Sequence, residues 1–404
     1  MSQRRVPGLR LLLANGTSLV GVGAATAIAA AAASAQLAAW PGGPGTEIGH
    51  EAQSGGLPAG FETSGVVWHP GRNSVVVVAD DGLVAELSPS GGPVTLWPLA
   101  GDLEAITTKD PASSLVYIGV ENPDSIVEFD LATGHATGAS WNLTAWMTGP
   151  SNEGLEALAF VNGEFWAGLQ KDGTIFRFTL GTGGAVSFLG SFPSHLGRAD
   201  LSGLDFDACT GTVYAIHDTA NVLVEYDATG AFLREFALAG SDQEGIALMG
   251  GSPTAAAPIF IAQDTGELFR HETYPVAPCP PGTWTDLGGG TTGSAGAPQL
   301  SGSGPLQAGW PIALDLLAAP PHALFLAWIS LAPVPAPHFG GTLHALPAAT
   351  QFLLAADAAG GFHAAVTWPA GIPPALGLWF QFLVQDGGAP FGLTLTNGLR
   401  ATTP

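Results

Sequence analysis

Positive charge is scarce in this chain. Eleven Lys and Arg stand against 33 Asp and Glu in 404 residues, a formal net charge of −22, and lysine occurs only as Lys109 and Lys171. Such a surface repels polyanions, so nucleic acid is excluded as a partner and anionic membrane surfaces are poor ones. Helical periodicity is nearly absent between residues 62 and 270, which points to an all-β fold. Familiar catalytic signatures are missing: there is no Gly-x-Ser-x-Gly, no His-Glu-x-x-His and no Gly-rich phosphate loop followed by Lys. Cysteine is reduced to Cys209 and Cys279. In an oxidising compartment these two can pair, and two buried free thiols are the alternative.

What is present is a repeated phrase: an acidic residue, a spacer, Glu or Ser, a small residue, then an aliphatic. The copies are Glu62-Thr63-Ser64-Gly65-Val66, Asp102-Leu103-Glu104-Ala105-Ile106, Glu153-Gly154-Leu155-Glu156-Ala157-Leu158, Asp200-Leu201-Ser202-Gly203-Leu204 and Asp242-Gln243-Glu244-Gly245-Ile246. Successive small residues lie about 40 to 52 positions apart, the period of a four-stranded propeller blade. Each phrase opens short apolar runs punctuated by Pro-Gly, Asp-Gly and Thr-Gly turns, as in Val75 to Ala79, Asp80-Asp81-Gly82 and Leu83 to Leu87. Five phrases predict five blades over residues 36–278, with a degenerate sixth left open. The last copy shows three clear strands, so its fourth is expected from the chain before Glu62, which would close the ring and remove exposed edges.

In an up-and-down blade the start of the inner strand and the turn between the second and third strands lie at one end. All five phrases therefore surround one mouth of the central channel. The matching turns are polar: Asp80-Asp81, Glu121-Asn122-Pro123-Asp124, Gln170-Lys171-Asp172, His217-Asp218 and Gln263-Asp264. In every copy but the third the acid and the Glu or Ser are two apart, hence on one strand face. So many carboxylates around a narrow opening must either take up protons or hold a cation. Oxygen donors suit Ca²⁺ better than a transition metal, and Glu62, Glu104, Glu156 and Glu244 are the expected metal ligands. Asp80, Glu121, Asn122, Asn152, Glu153, His217, Asp218 and Asp264 are the expected ligand-binding residues. The competing reading gives Glu62, Asp102, Asp200 and Asp242 a structural role, in which they accept backbone N–H bonds from the next blade.

The ends of the chain differ from its centre. Arg4, Arg5 and Arg10 precede an apolar Ala- and Gly-rich run ending in Ala33-Ser34-Ala35, so residues 1–35 are expected to be a signal peptide. That predicts a secreted, periplasmic or cell-surface protein, without a transmembrane segment once the peptide is cleaved. Residues 279–305 have the Pro, Gly and Ser content of a linker. From 306 to 404 charge almost vanishes, and about seven apolar runs between Pro-Pro and Gly-Gly turns predict a small β-sandwich.

The five phrases, in their order, resemble the SdiA-regulated family of exported β-propellers over roughly residues 60 to 272. That resemblance implies a propeller fold and calcium at its axis, and carries Glu62, Glu104, Glu156 and Glu244 over as mouth residues. Ala105 and Ala157 depart from it, standing where the family usually has Gly. The C-terminal part loosely resembles low-charge β modules that end exported proteins of planctomycete-like bacteria. Two functions remain open. One is a ligand-binding or scaffold propeller for a small-molecule, cell-surface or extracellular partner. The other is a Ca²⁺-dependent hydrolase of the phosphoesterase or lactonase type, with a carboxylate or His217 as base.

Overall fold

Val75, Val76, Val77 and Val78 are all fully buried, yet they alternate between two different hydrophobic clusters. Val75 and Val77 pack with Phe260 and Ala262, whereas Val76 and Val78 pack with Ile106 and Ile118. A continuous β-branched run therefore serves a strand covered on both faces by neighbouring sheets. In the same way Leu158 and Phe165 join one cluster while Ala157 and Trp166 join the next.

A computed structural model describes residues 37–50, 56–369 and 372–404. The expected signal peptide lies outside the described residues. Among the described residues, no helix is long and apolar enough to cross a membrane. Four antiparallel four-stranded sheets each follow the chain in order. Their first strands are Thr63–His69, Asp102–Thr108, Leu155–Val161 and Leu201–Asp207. A further sheet is built from Gln243–Leu248, Ala256–Gln263 and Leu268–Pro275. Its fourth strand is Gly45–Glu47, which pairs antiparallel with Leu268–Pro275 and places Gly45 opposite His271. The fourth strand expected from the chain before Glu62 is this one.

The first strands pack side by side. A Cβ on Gly65 would lie 3.0 Å from Ala105 Cα, one on Gly203 would lie 3.2 Å from Gly245 Cα, and one on Gly245 would lie 3.0 Å from Val66 N. The last contact joins the final sheet to the first, so the strands close on themselves. Small residues sit where backbones come this near.

Residues 279–305, expected as linker, are not free chain. Thr283–Gly288 pairs with Gly398–Thr402, and Gln299–Ser303 pairs with Pro311–Leu317. The Gly- and Ser-rich stretch hides two strands: the partner of Thr283–Gly288 lies far along the chain, whereas Gln299–Ser303 pairs with the strand that follows it. Beyond them, Gly377–Gln385, Leu324–Ser330 and Thr350–Ala355 extend the first pair into one sheet, and Phe362–Thr367 extends the second into another. Leu300, Ile312 and Leu316 of the second sheet share a core with Phe325, Phe380 and Phe382 of the first. Cys209 and Cys279 form a disulfide, with Cα atoms 6.0 Å apart. It ties the turn after Leu201–Asp207 to the entry of the C-terminal part.

Candidate functional site

Each of the five first strands carries a β-bulge at the same place. The ladders step from Thr63 to Gly65, Leu103 to Ala105, Leu155 to Ala157, Leu201 to Gly203 and Gln243 to Gly245. The residues stepped over are Ser64, Glu104, Glu156, Ser202 and Glu244. A bulge residue leaves the pairing register and redirects its side chain. The two-residue alternation expected to place each acid beside its Glu or Ser is therefore not the whole device. Asp200 and Asp242 also depart from it, with φ of 58° and 59°, so neither is in extended conformation.

The bulges gather Glu104, Glu156, Ser202 and Glu244 around a passage of about 10 Å³, floored by Ala105, Ala157, Gly203 and Gly245. That is room for roughly one water. Burial is the main reason the Glu104 and Glu156 carboxyls are held well above the usual carboxylate range. The neighbouring Asp102 adds to this at Glu104, and the neighbouring Glu104 adds to it at Glu156. Burial likewise pushes Glu244 up to about 8, helped by Asp218, Asp264, Asp200 and Asp242. Glu62 is exposed at the rim, where the charges of Asp80 and Asp264 raise it. Asp80 is half-buried and raised chiefly by that burial.

The remaining expected residues divide into two sets. Asn152, Glu153 and Asp264 are exposed at the mouth, as is Asn122, whose amide donates to Glu121 at 2.9 Å. Glu121, Asp218 and His217 are committed to the framework. Glu121 is buried and accepts Gly154 N–H at 2.6 Å. Asp218 accepts Gln243 N–H at 2.9 Å. His217 is fully buried, with Nδ1 3.0 Å from Ala199 O, and burial lowers it to about 4. Buried and bonded to Ala199 O, it is withdrawn from the solvent of the mouth.

Sheet-to-sheet locking is thus done by acids other than those expected for it. Besides Glu121 and Asp218, Asp124 accepts Leu155 N–H at 3.0 Å and Asp205 accepts Leu248 N–H at 2.6 Å. Asp200 instead bonds Thr219, and Asp102 accepts from Asn122, each within its own sheet. For Glu121, Asp124 and Asp218 the sequence signal is the acid in or beside the second-to-third turn, whereas Asp205 lies within a first strand.

The donor set at the mouth is all oxygen, which fits a hard cation such as Ca²⁺ in chemistry. Among the described residues, however, no group of three or more His, Cys, Asp or Glu converges as a metal centre requires. Asp102 beside Glu104, and Glu104 beside Glu156, instead raise the proton affinity of these carboxyls.

With this geometry in hand, the sequence profile of the SdiA-regulated family matches residues 193–256, within the stretch that carries the repeated phrases. No curated protein matches the chain. Solved structures similar to it include glutaminyl cyclase of Myxococcus xanthus, 15% identical, covering 58% of this chain and 100% of that one with a TM-score of 0.41. Virginiamycin B lyase from Staphylococcus aureus is 12% identical, covering 55% and 69%, with a TM-score of 0.33. The β-propeller domain of Myceliophteria thermophila Cps50 (Swd1) is 12% identical, covering 54% and 72%, with a TM-score of 0.35. The structural neighbours are β-propellers.

Proposed function

We propose that the chain is an exported five-bladed propeller followed by a small β-sandwich, and that its acidic mouth exchanges protons for Ca²⁺. The observation behind this reading is the set of five bulges, which bring Glu104, Glu156 and Glu244 to one register around a passage too narrow to solvate three charges. Glu156 is buried and Glu104 and Glu244 are half-buried, and three carboxylates so placed around one narrow passage do not stay ionised together without a partner, so protons or a cation must be present. Ca²⁺ would draw on the carboxylates of Glu104, Glu156 and Glu244, which would have to close on it from positions that do not converge as they stand, with Glu62 at the rim. Bound there, it would neutralise the ring and hold the mouth as an acidic platform for a small-molecule, cell-surface or extracellular partner.

A ligand-binding or scaffold role is preferred to hydrolysis because the mouth lacks a separate base. His217 is buried and bonded to Ala199 O, leaving carboxyls alone. The Cys209–Cys279 disulfide supports export, since such bonds persist in oxidising compartments. Calcium content and thermal melting, with and without chelator, test the proposal. Tightly held Ca²⁺ whose removal lowers the melting point supports it. An unchanged melt with no metal makes the ring a packing device. Turnover of a phosphoester or lactone, lost in E104Q/E156Q with the fold intact, would favour the hydrolase.

A further inference from the structure

At the other end of the first strands, away from the acidic mouth, a cleft of about 690 Å³ opens between the repeated sheets and the C-terminal part. Its size falls within the range of about 300 to 1,000 Å³ that small-molecule sites occupy. One wall comes from Trp68, Phe160, Asp205 and Phe206, and the opposite wall from Gln307 and Trp368. The two walls are held in place covalently and by contact. The disulfide at Cys209 ties them, and Gly309 lies against Trp68 and Pro70, where an added Cβ would sit 3.5 Å from each.

The polar groups of this cleft are unevenly supplied. Gln307 is 8% exposed, and its Nε2 donates to Pro280 O at 3.1 Å. That bond fixes the orientation of the amide, because a carbonyl cannot be bonded by the amide oxygen. Gln307 Oε1 is then left buried with no donor in the protein. Asp205 offers a second acceptor, with Oδ2 committed to Leu248 N–H. Neighbouring Asp207 is already satisfied, by Cys209 N–H and Gly251 N–H on Oδ1 and by the Thr210 hydroxyl on Oδ2. The cleft therefore presents aromatic faces, the half-buried Asp205 carboxyl and, within its wall, one amide oxygen that the protein gives no donor, a lining that favours an occupant with donors.

We propose that this cleft binds a small organic amine carried on an aromatic or otherwise apolar skeleton. An ammonium satisfies acceptors, pairs with a carboxylate and is attracted to aromatic faces. Lys109 illustrates the last point, its ammonium lying 5.9 Å from the centre of the Phe160 ring. An acid of similar shape would find Lys109 as the sole lining cation among the described residues, and that side chain is exposed. The net charge of −22 also draws cations toward the chain rather than anions. Burial pushes Asp205 up to about 7, so an arriving ammonium would favour its ionised form.

Calorimetric titration of the intact chain with tryptamine, indole-3-ethanol and indole-3-acetate tests the proposal. Saturable binding of tryptamine is expected, with the alcohol about tenfold weaker and the acid weaker still. Gln307→Met and Asp205→Asn should each weaken tryptamine by about fivefold or more, with Gln307→Met melting as the wild type does. The mouth variant E104Q/E156Q should bind tryptamine normally. Equal binding of all three probes would overturn the proposal. So would no binding of tryptamine, unchanged affinity in a folded Gln307→Met, or loss of binding in the mouth variant.

Discussion

Glu104 and Glu156 hold the same bulge position on adjacent first strands, and the charge of Glu104 raises the Glu156 carboxyl above its ordinary range. Two carboxyls set side by side out of bulk water do not both stay ionised unless a cation joins them. The pair therefore records what the fold does to acids at its axis: it withdraws them from water and sets them against each other.

The first prediction concerns pH. Glu104, Glu156 and Glu244 titrate higher in the folded chain than at the ordinary value of 4.5. Between those values the folded state binds more protons than the unfolded one, so stability falls as pH rises. Their contribution is whole below about pH 4.5 and is lost as pH climbs through the folded values, about 8 for Glu244. His217 acts on the acid side, its lowered value costing stability as pH falls from 6.5 toward about 4. In chelator, the stability of E104Q/E156Q relative to the wild type should therefore grow from pH 5 to pH 9. Urea melts across that range measure the difference, and a constant one would refute the assignment.

The second prediction concerns locking between sheets. Asp218→Ala leaves Gln243 N–H without its acceptor, and Asp124→Ala does the same to Leu155 N–H. Each should cost about 1–3 kcal/mol in urea unfolding, the usual penalty of an orphaned buried donor. Asp242→Ala, whose carboxylate is exposed beside Ser241, should cost far less.

A third prediction follows from the second and third sheets, where the small residues have changed places. Ala105 faces Gly119 and Ala157 faces Gly168, while Gly65 faces Val78 and Gly203 faces Ile216. A Cβ on Gly119 would lie 3.0 Å from Ala105 Cβ. Gly119→Ala should cost about 1–3 kcal/mol by overpacking. Adding Ala105→Gly should recover part of that loss, and a double-mutant cycle reads the coupling.

The fourth prediction is that replacing Cys209 and Cys279 by Ser lowers stability by about 3–4 kcal/mol, since the bridge closes a separation of 70 residues. Chemical denaturation of the double variant checks it.

Much of this fold is legible in the sequence, and what escapes has physical reasons. Strand and turn chemistry announces the runs around Val75–Val78, and the missing fourth strand of the last sheet follows from the need to cover an edge. Two strands near residues 283 and 299 are hidden by Gly and Ser, because a strand in a low-charge module needs partners more than propensity. The expectation that Glu and Ser share one register holds in the arrangement, but its cause does not. A bulge is a fact of pairing, and nothing in one strand's sequence declares which residue its neighbour will skip. His217 misleads because a histidine in a polar turn reads as exposed, while its ring is drawn under Ala199. The cleft at the far end is invisible in the sequence, since Asp205 and Gln307 lie about a hundred positions apart and meet through folding alone.

If the axial ring exchanges protons for a cation, Ca²⁺ binding must release protons, and a proton count reads that exchange. Ca²⁺ is titrated into chelator-treated protein at pH 7 in buffers of different ionisation enthalpy. Calcium uptake with release of about one proton or more, abolished in E104Q/E156Q, is the predicted result. No uptake, or uptake without proton release that survives the double substitution, would contradict it.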